Sequence, residues 1–363
     1  MTAFRLAIVA GVLTMAVSAG AQRWQPQPSG TQSDLRGISA VNNKVAWASG
    51  TGGAWLRTTN GGQIWTTGVV AGAEELDFRD VEAFDDKNAV LMAAGPGIKS
   101  RIYRTRDGGA SWRMTFQNPE ASGFWDCMAF WDRQHGVMLG DPVDSRFQVF
   151  TTDDGGEHWS GYAAEALPGE AAFAASGSCI AVRGDYRQIQ RPGEWFLQAA
   201  AWFATGGAAA RVFRSEDAGA SWTASSVPFI HGTSAGIFSI AFHDQHGIAV
   251  GGDYQRPALA QNNAAVTKDG GVTWKPIRGA APRGYRSAVA FVPGRDLAVA
   301  VGTSGSDVSR DNGNNWEAID QESYNAVSFA RDGAGWAVGP KGRIARWERV
   351  EKSSRPAPEE PPQ

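Results

Sequence analysis

The sequence predicts an all-β chain folded as a seven-bladed β-propeller of four-stranded antiparallel blades, its ring closed by the mature N-terminal strand. Three observations predict it. The phrase Ser/Thr-x-Asp-x-Gly-x-x-Trp occurs six times, as Thr58 to Trp65, Thr105 to Trp112, Thr152 to Trp159, Ser215 to Trp222, Thr267 to Trp274 and Ser309 to Trp316. The closing tryptophans are 47, 47, 63, 52 and 42 residues apart, and a period of about 45 with several short strands in it marks a propeller. An apolar run ending in Gly occurs seven times, at Gly50, Gly95, Gly140, Gly184, Gly251, Gly302 and Gly339, one more than the first phrase.

The order within a period is constant. An alternating run (Arg79 to Phe84) is followed by a second run (Ala89 to Gly95) and a third (Arg101 to Arg104); the phrase then makes a turn and a fourth run starts at its Trp (Trp112 to Gln117). Four short runs with turn residues between them read as one antiparallel blade. The seventh period has Gly335 to Gly339 and Arg343 to Trp347 but no phrase and no fourth run. Trp24-Gln25-Pro26 matches Trp274-Lys275-Pro276, so the start of the mature chain supplies the missing strand and removes two open sheet edges.

The repeated phrase resembles the Asp-box, or BNR repeat. Its Asp accepts hydrogen bonds from backbone N–H groups of its own turn, its Gly supplies a positive φ, and its Trp packs between neighbouring units. Asn60, Asp107, Asp154, Asp217, Asp269 and Asp311 are therefore read as structural; Asn60 keeps the acceptor oxygen without the charge.

Residues 1–21 carry Arg5, an apolar run from Leu6 to Val17 and Ala19-Gly20-Ala21, the pattern of a cleaved secretory signal peptide. The run is short of the roughly 20 residues a membrane span needs, so no span is expected after cleavage and the chain is expected to be exported, periplasmic or extracellular. The propeller is assigned to residues 22–350, and the Pro- and Glu-rich 351–363 is expected to be a disordered tail. A net charge of −3 without runs of like charge lacks the footprint of a nucleic-acid binder. Cys127 and Cys179 lie in apolar runs of neighbouring repeats and are expected as two buried free thiols, a disulfide being the alternative in an oxidising compartment. A monomer is expected.

Chain direction sorts the loops. Those after the second and fourth strands lie on one face, and the turn after the first strand lies with the Asp-boxes on the other. The first face is expected to gather Arg36, Arg79 and Arg286 at inner-strand entries, where other blades have Trp125 and Tyr324. Asp141, Asp185 with Tyr186, and Asp253 with Tyr254 follow second strands, and Glu170 precedes the inner strand of blade four. The blade-four insertion Arg183 to Gly207, about 16 residues of excess with Trp195 in it, is expected on that face as a lid or docking ridge, the alternative being an extended strand packed on its neighbour. Arg36, Arg79, Arg286, Trp125, Tyr186, Tyr254 and Trp195 are the candidate ligand-binding residues. His243-Asp244-Gln245-His246 falls in the turn after a first strand, so no metal site is expected. No P-loop, strand-GxGxxG-helix or GxSxG phrase occurs, and no cofactor is expected.

The repeat as a whole, an apolar strand, D-x-x-x-G-x-A-V-G and T-x-D-G-G-x-x-W, resembles the photosystem II stability/assembly factor family of seven-bladed Asp-box propellers over nearly the whole mature chain. That resemblance implies a non-catalytic role in handling another protein, and arginines at strand-one entries. The chain is therefore read as an exported binding or assembly-type module for a protein or glycan. More distantly it resembles Asp-box sialidases and related exo-glycosidases. This implies an arginine grip on a carboxylate (Arg36, Arg79, Arg286), Tyr324 or Tyr285 paired with Glu170 as nucleophile and base, and Asp141, Asp185 or Asp253 as acid. Carboxylate pairs there also admit neutral-glycan hydrolysis, so a glycoside hydrolase is the alternative reading.

Overall fold

The computed structural model describes residues 22–191 and 194–349; the signal peptide and the tail assigned from sequence lie outside the described residues. Seven antiparallel sheets form the blades of one propeller. Their inner strands are Leu35–Ala40, Asp77–Ala83, Trp125–Phe130, Ile180–Arg191, Gly232–His243, Ala288–Phe291 and Ala326–Phe329. Second strands such as Ala89–Ala94 are buried throughout, as expected of strands packed on both faces, whereas outer strands such as Thr66–Val69 are largely exposed.

The last blade has the order Gln22–Gln27, Ile344–Arg349, Gly335–Val338, Ala326–Phe329, so the N-terminal strand completes it from outside. Trp24 lies opposite Trp347, donates from Nε1 to Ser306 Oγ at 3.1 Å and packs against Tyr324 with ring centroids 5.8 Å apart. Gln27 Oε1 accepts from the indoles of Trp65 and Trp336, both at 3.2 Å, tying the closing strand to blade one. Neighbouring inner strands are also stitched by side chains: Ser39, Asp80, Ser239 and Ser328 each accept a backbone N–H from the next blade.

The boxes form as their composition dictates. In blade two, Asp107 Oδ1 accepts from Thr105 Oγ1 at 2.8 Å and from the Ser111 N–H at 2.9 Å, while Gly109 donates to Thr105 Oγ1. Asn60 makes the same contacts with Thr58 and Ile64.

Blade four departs from the sequence reading in three ways. Its inner strand is Ile180–Arg191, so Gly184 belongs to strand one rather than closing strand two; strand two is Glu194–Ala204, which pairs with the box-leading strand Arg211–Ser215. The extra residues thus lengthen the hairpin between strands one and two. That hairpin projects from the box face, where Ala199 bridges Asp217 and accepts the Ala218 N–H. Finally, Cys127 and Cys179 form a disulfide with their Cα atoms 5.9 Å apart and are not free thiols. The shifted strand assignment hides this bond, because it puts Cys179 on a second strand instead of beside the inner strand of blade three.

Candidate functional site

The inner-strand entries of blades one, two, three and five share a local device. Antiparallel pairing slips by one residue between Leu35 and Gly37, Phe78 and Asp80, Trp125 and Cys127, and Ile237 and Ser239. The residue left over in each bulge, Arg36, Arg79, Asp126 or Phe238, is turned into the channel mouth. Together with Ser287 and Asn325 from blades six and seven, they surround a pocket of about 450 Å³.

The segment 172–178 forms its floor. It contacts blade two through Arg79 Nη1 and Ala174 O (2.8 Å), blade six through Ser176 Oγ and Ser287 O (2.8 Å), and blade five through the Ser178–Ser239 hydroxyl pair (2.7 Å). Contacts with non-adjacent blades place it across the channel. Phe173 stacks on Phe238 at 4.0 Å, and the edge of Tyr285 meets Phe238 at 4.8 Å, giving the pocket an aromatic wall that Tyr254 extends to solvent.

The polar walls carry opposite charges. Arg36 and Arg79 share Asp77 Oδ2, at 3.5 and 2.8 Å, so one carboxylate serves two guanidiniums; Arg36 Nε is buried without a partner. Beside them stand Asp126 and Asp141, both from the neighbouring blade three. Asp141 Oδ1 accepts the Ala172 N–H at 2.9 Å, and burial pushes its carboxyl up to about 6. Asp126 is pushed well above the usual carboxylate range by burial first and then by Asp141, against the pull of Arg79, and its Oδ2 has no partner.

Of the residues predicted from sequence, the structure brings Arg36, Arg79, Asp141, Tyr254 and Tyr285 to the pocket. Arg286 is elsewhere. Its backbone N–H donates to Gly251 O as those of Leu35 and Tyr324 donate to Gly339 O and Gly302 O, so Arg286 and Tyr324 are equivalents of Leu35 and not of Arg36. A one-residue slip turns a strand side chain to the opposite face. Arg286 is accordingly buried against Asp307 (Nε–Oδ2 2.6 Å) and Ser304, Tyr324 is buried against Trp24, and Trp125 is buried on Phe116. The pocket-facing residues are one position on: Asp126, Ser287 and Asn325, which the sequence reading missed.

Glu170 is also removed from the site. It lies on the two-residue strand Glu170–Ala171, paired with Gly206–Gly207, and does not lead directly into an inner strand. Its buried carboxylate is held by the Arg211 guanidinium, by Thr205 Oγ1 at 2.5 Å and by the Leu167 N–H at 2.9 Å, which leaves it no free oxygen for a nucleophile or base role. Asp253 is buried and accepts from Ser234, Gln255 and Arg256; burial alone would raise its pKa, but these bonds hold it below the ordinary value. Asp185, Tyr186 and Trp195 lie on the elongated hairpin at the box face, away from the arginines. The missed signal was Ala201-Trp202-Phe203-Ala204, which repeats the buried second-strand tryptophans of Ala46-Trp47-Ala48 and Gly335-Trp336-Ala337.

Solved structures with this architecture include YCF48, a photosystem II assembly factor. The YCF48 bound to a D1 peptide has a TM-score of 0.60 at 15% identity, over 92% of this chain and 99% of that one. YCF48 from Cyanidioschyzon merolae has a TM-score of 0.61 at 18% identity, over 89% and 98%. The GH74 xyloglucanase from Xanthomonas campestris has a TM-score of 0.57 at 18% identity over 93% of this chain, which spans 55% of that enzyme. No protein-family model and no curated protein matches the chain. The propeller fold is thus shared with the assembly factors that the repeat phrase resembles.

Proposed function

We infer that the chain is a binding module that holds an extended, carboxylate-bearing peptide segment of a protein partner at its channel mouth. The observation that carries this reading is the pocket itself. Two guanidiniums share one oxygen of Asp77, with Arg36 Nε still unpaired, beside an aromatic wall open to solvent at Tyr254. Guanidinium forks pair with carboxylates bidentately, and flat aromatic surface accommodates an extended backbone. The peptide-bound YCF48 supports the same reading by analogy of fold. The leader-like residues 1–21 and the Cys127–Cys179 bond support a place of action outside the reducing cytoplasm.

The test is fluorescence anisotropy with labelled extended peptides, acidic and amidated neutral versions in parallel. The acidic peptides should bind preferentially, and Arg36→Ala and Arg79→Ala should each weaken them at least tenfold while Arg286→Lys, away from the pocket, should not. Equal binding of both versions, or indifference to both alanine substitutions, would sink the proposal.

Asp126 and Asp141 favour a second reading, glycoside hydrolysis, because two carboxyls with raised pKa values share the pocket. Both rise from one blade, however, whereas glycosidases place their pair on either side of the scissile bond. Turnover of a fluorogenic glycoside panel that disappears in Asp141→Asn would replace the binding reading.

A further inference from the structure

We propose that the Cys127–Cys179 disulfide assembles the binding pocket, so that the site is complete in the oxidised chain and incomplete in the reduced one. The inference rests on the reading of the channel mouth as the binding site and adds its control. The floor segment 172–178 belongs to no blade sheet beyond Ala171, and Phe173, half-buried, is its one large side chain. Its remaining residues are Ala, Ser and Gly, which bury little apolar surface against the conformational entropy lost on ordering seven residues. Gly177 is needed twice over: its φ is +75°, and a side chain there would run into the carboxylate of Asp80 below.

The floor is held at both ends. At its start the Ala172 N–H binds Asp141; at its end Cys179 is bonded to Cys127, which directly follows the pocket residue Asp126. One covalent bond therefore fixes the end of the floor and ties it to the blade that carries both pocket carboxylates. The bond closes 52 residues of chain and is buried, with Cys127 0% and Cys179 1% exposed, so once formed it is shielded from small thiols.

Formation requires a disulfide-bearing oxidant. One cysteine thiolate attacks a sulfur of the oxidant's disulfide to give a mixed disulfide and release one oxidant thiolate. The second cysteine thiolate then displaces the oxidant, which leaves as a dithiol carrying the two protons and two electrons the cysteines lose. Chain made in a reducing compartment would thus carry a formed ring and an unformed site.

The experiment compares oxidised protein, the Cys127→Ala/Cys179→Ala variant, and wild type refolded with dithiothreitol. Hydrogen exchange reads the floor without any ligand: amides 173–178 should exchange at least tenfold faster in both thiol-free and reduced forms, with the box turns unchanged. The acidic peptide should then bind at least tenfold more weakly, and Gly177→Ala, with its disulfide intact, should reproduce that loss. Unchanged floor exchange overturns the proposal, as does undiminished peptide binding over a mobile floor. Loss of the whole propeller in both forms lacking the bond also overturns it, because the bond would then hold the ring and not the floor. If oxidised wild type captures no peptide, the binding reading fails, and floor exchange still decides what the bond does.

Discussion

Asp107 at the foot of blade two and Asp141 at the head of blade three are both turn-proximal carboxylates of the same propeller, yet they are satisfied in opposite ways. Asp107 accepts hydrogen bonds from the side chain and backbone of Ser111 and from Thr105, which hold its carboxyl down at about 2. Asp269 and Asp154 reach about the same value although burial pushes theirs upward, since the turn bonds outweigh it. Asp141 accepts one backbone N–H and is raised by burial, and its neighbour Asp126 is raised by burial and by Asp141. In its boxes the chain supplies side-chain and backbone donors to both oxygens of aspartates such as Asp107 and Asp269, which is a recipe for stability. At the mouth it leaves carboxyls and a guanidinium under-satisfied, which is how a surface is prepared for donors and acceptors of another molecule.

The largest expected effect tests whether Glu170, near the mouth in sequence, belongs with the saturated group. Removing one partner of a buried ion pair typically costs about 3–5 kcal/mol, so Glu170→Ala should destabilise the fold by that order in a denaturant titration, with Arg211→Ala similar. Normal stability combined with lost peptide binding would move Glu170 back into the site. Next in size, Asp107→Ala or Asp269→Ala should lose turn bonds worth on the order of 1–3 kcal/mol and leave mouth binding intact once folded. A stable but non-binding Asp107→Ala would break the division between the faces.

How much of this was legible in sequence follows the same division. Boxes, blade number and the closing role of Trp24 are local or repeated features, and self-similarity exposes them. Arg36 and Arg79 were found because a large apolar residue and an arginine recur together, but Tyr285-Arg286 has the same look one register earlier. Pairing register depends on a hydrogen bond to the preceding blade, Arg286 N–H to Gly251 O, which leaves no mark in composition. Blade four misled for a related reason: the run Cys179-Ile180-Ala181-Val182 ending at Gly184 looks like a second strand, and only its pairing with Ala201–Phe203 shows it to be the first. Asp126 was hidden because a bulge is a property of two strands together, and Ser287 and Asn325 because the pairing register decides which of two adjacent residues faces the mouth.

The smallest expected effect is also the most specific to the mouth. Asp141 ionises near 6 in the folded chain against an ordinary 3.8, so the fold favours its protonated form. Its contribution to stability is present below about pH 4 and is lost as pH rises through about 6. Asp126 beside it is also raised well above the ordinary carboxylate range, by burial first and then by Asp141, and the Tyr285 hydroxyl is raised by burial. Between pH 5 and 7.5 Asp141 therefore adds a negative charge beside the arginines, while Asp80, buried beneath the floor and pushed up to about 7, ionises in the upper part of that interval, so only the step near 6 belongs to Asp141. A like charge at this range, partly screened, costs an acidic ligand on the order of 1 kcal/mol, so peptide affinity should fall about fivefold across that interval, with a midpoint near 6. Asp141→Asn should flatten the profile at the tighter, low-pH value, whereas Asp107→Asn, whose carboxyl is already ionised from about pH 2, should leave it unchanged. A fall that persists in Asp141→Asn would assign the titration to another group and remove the electrostatic basis for contrasting the two faces.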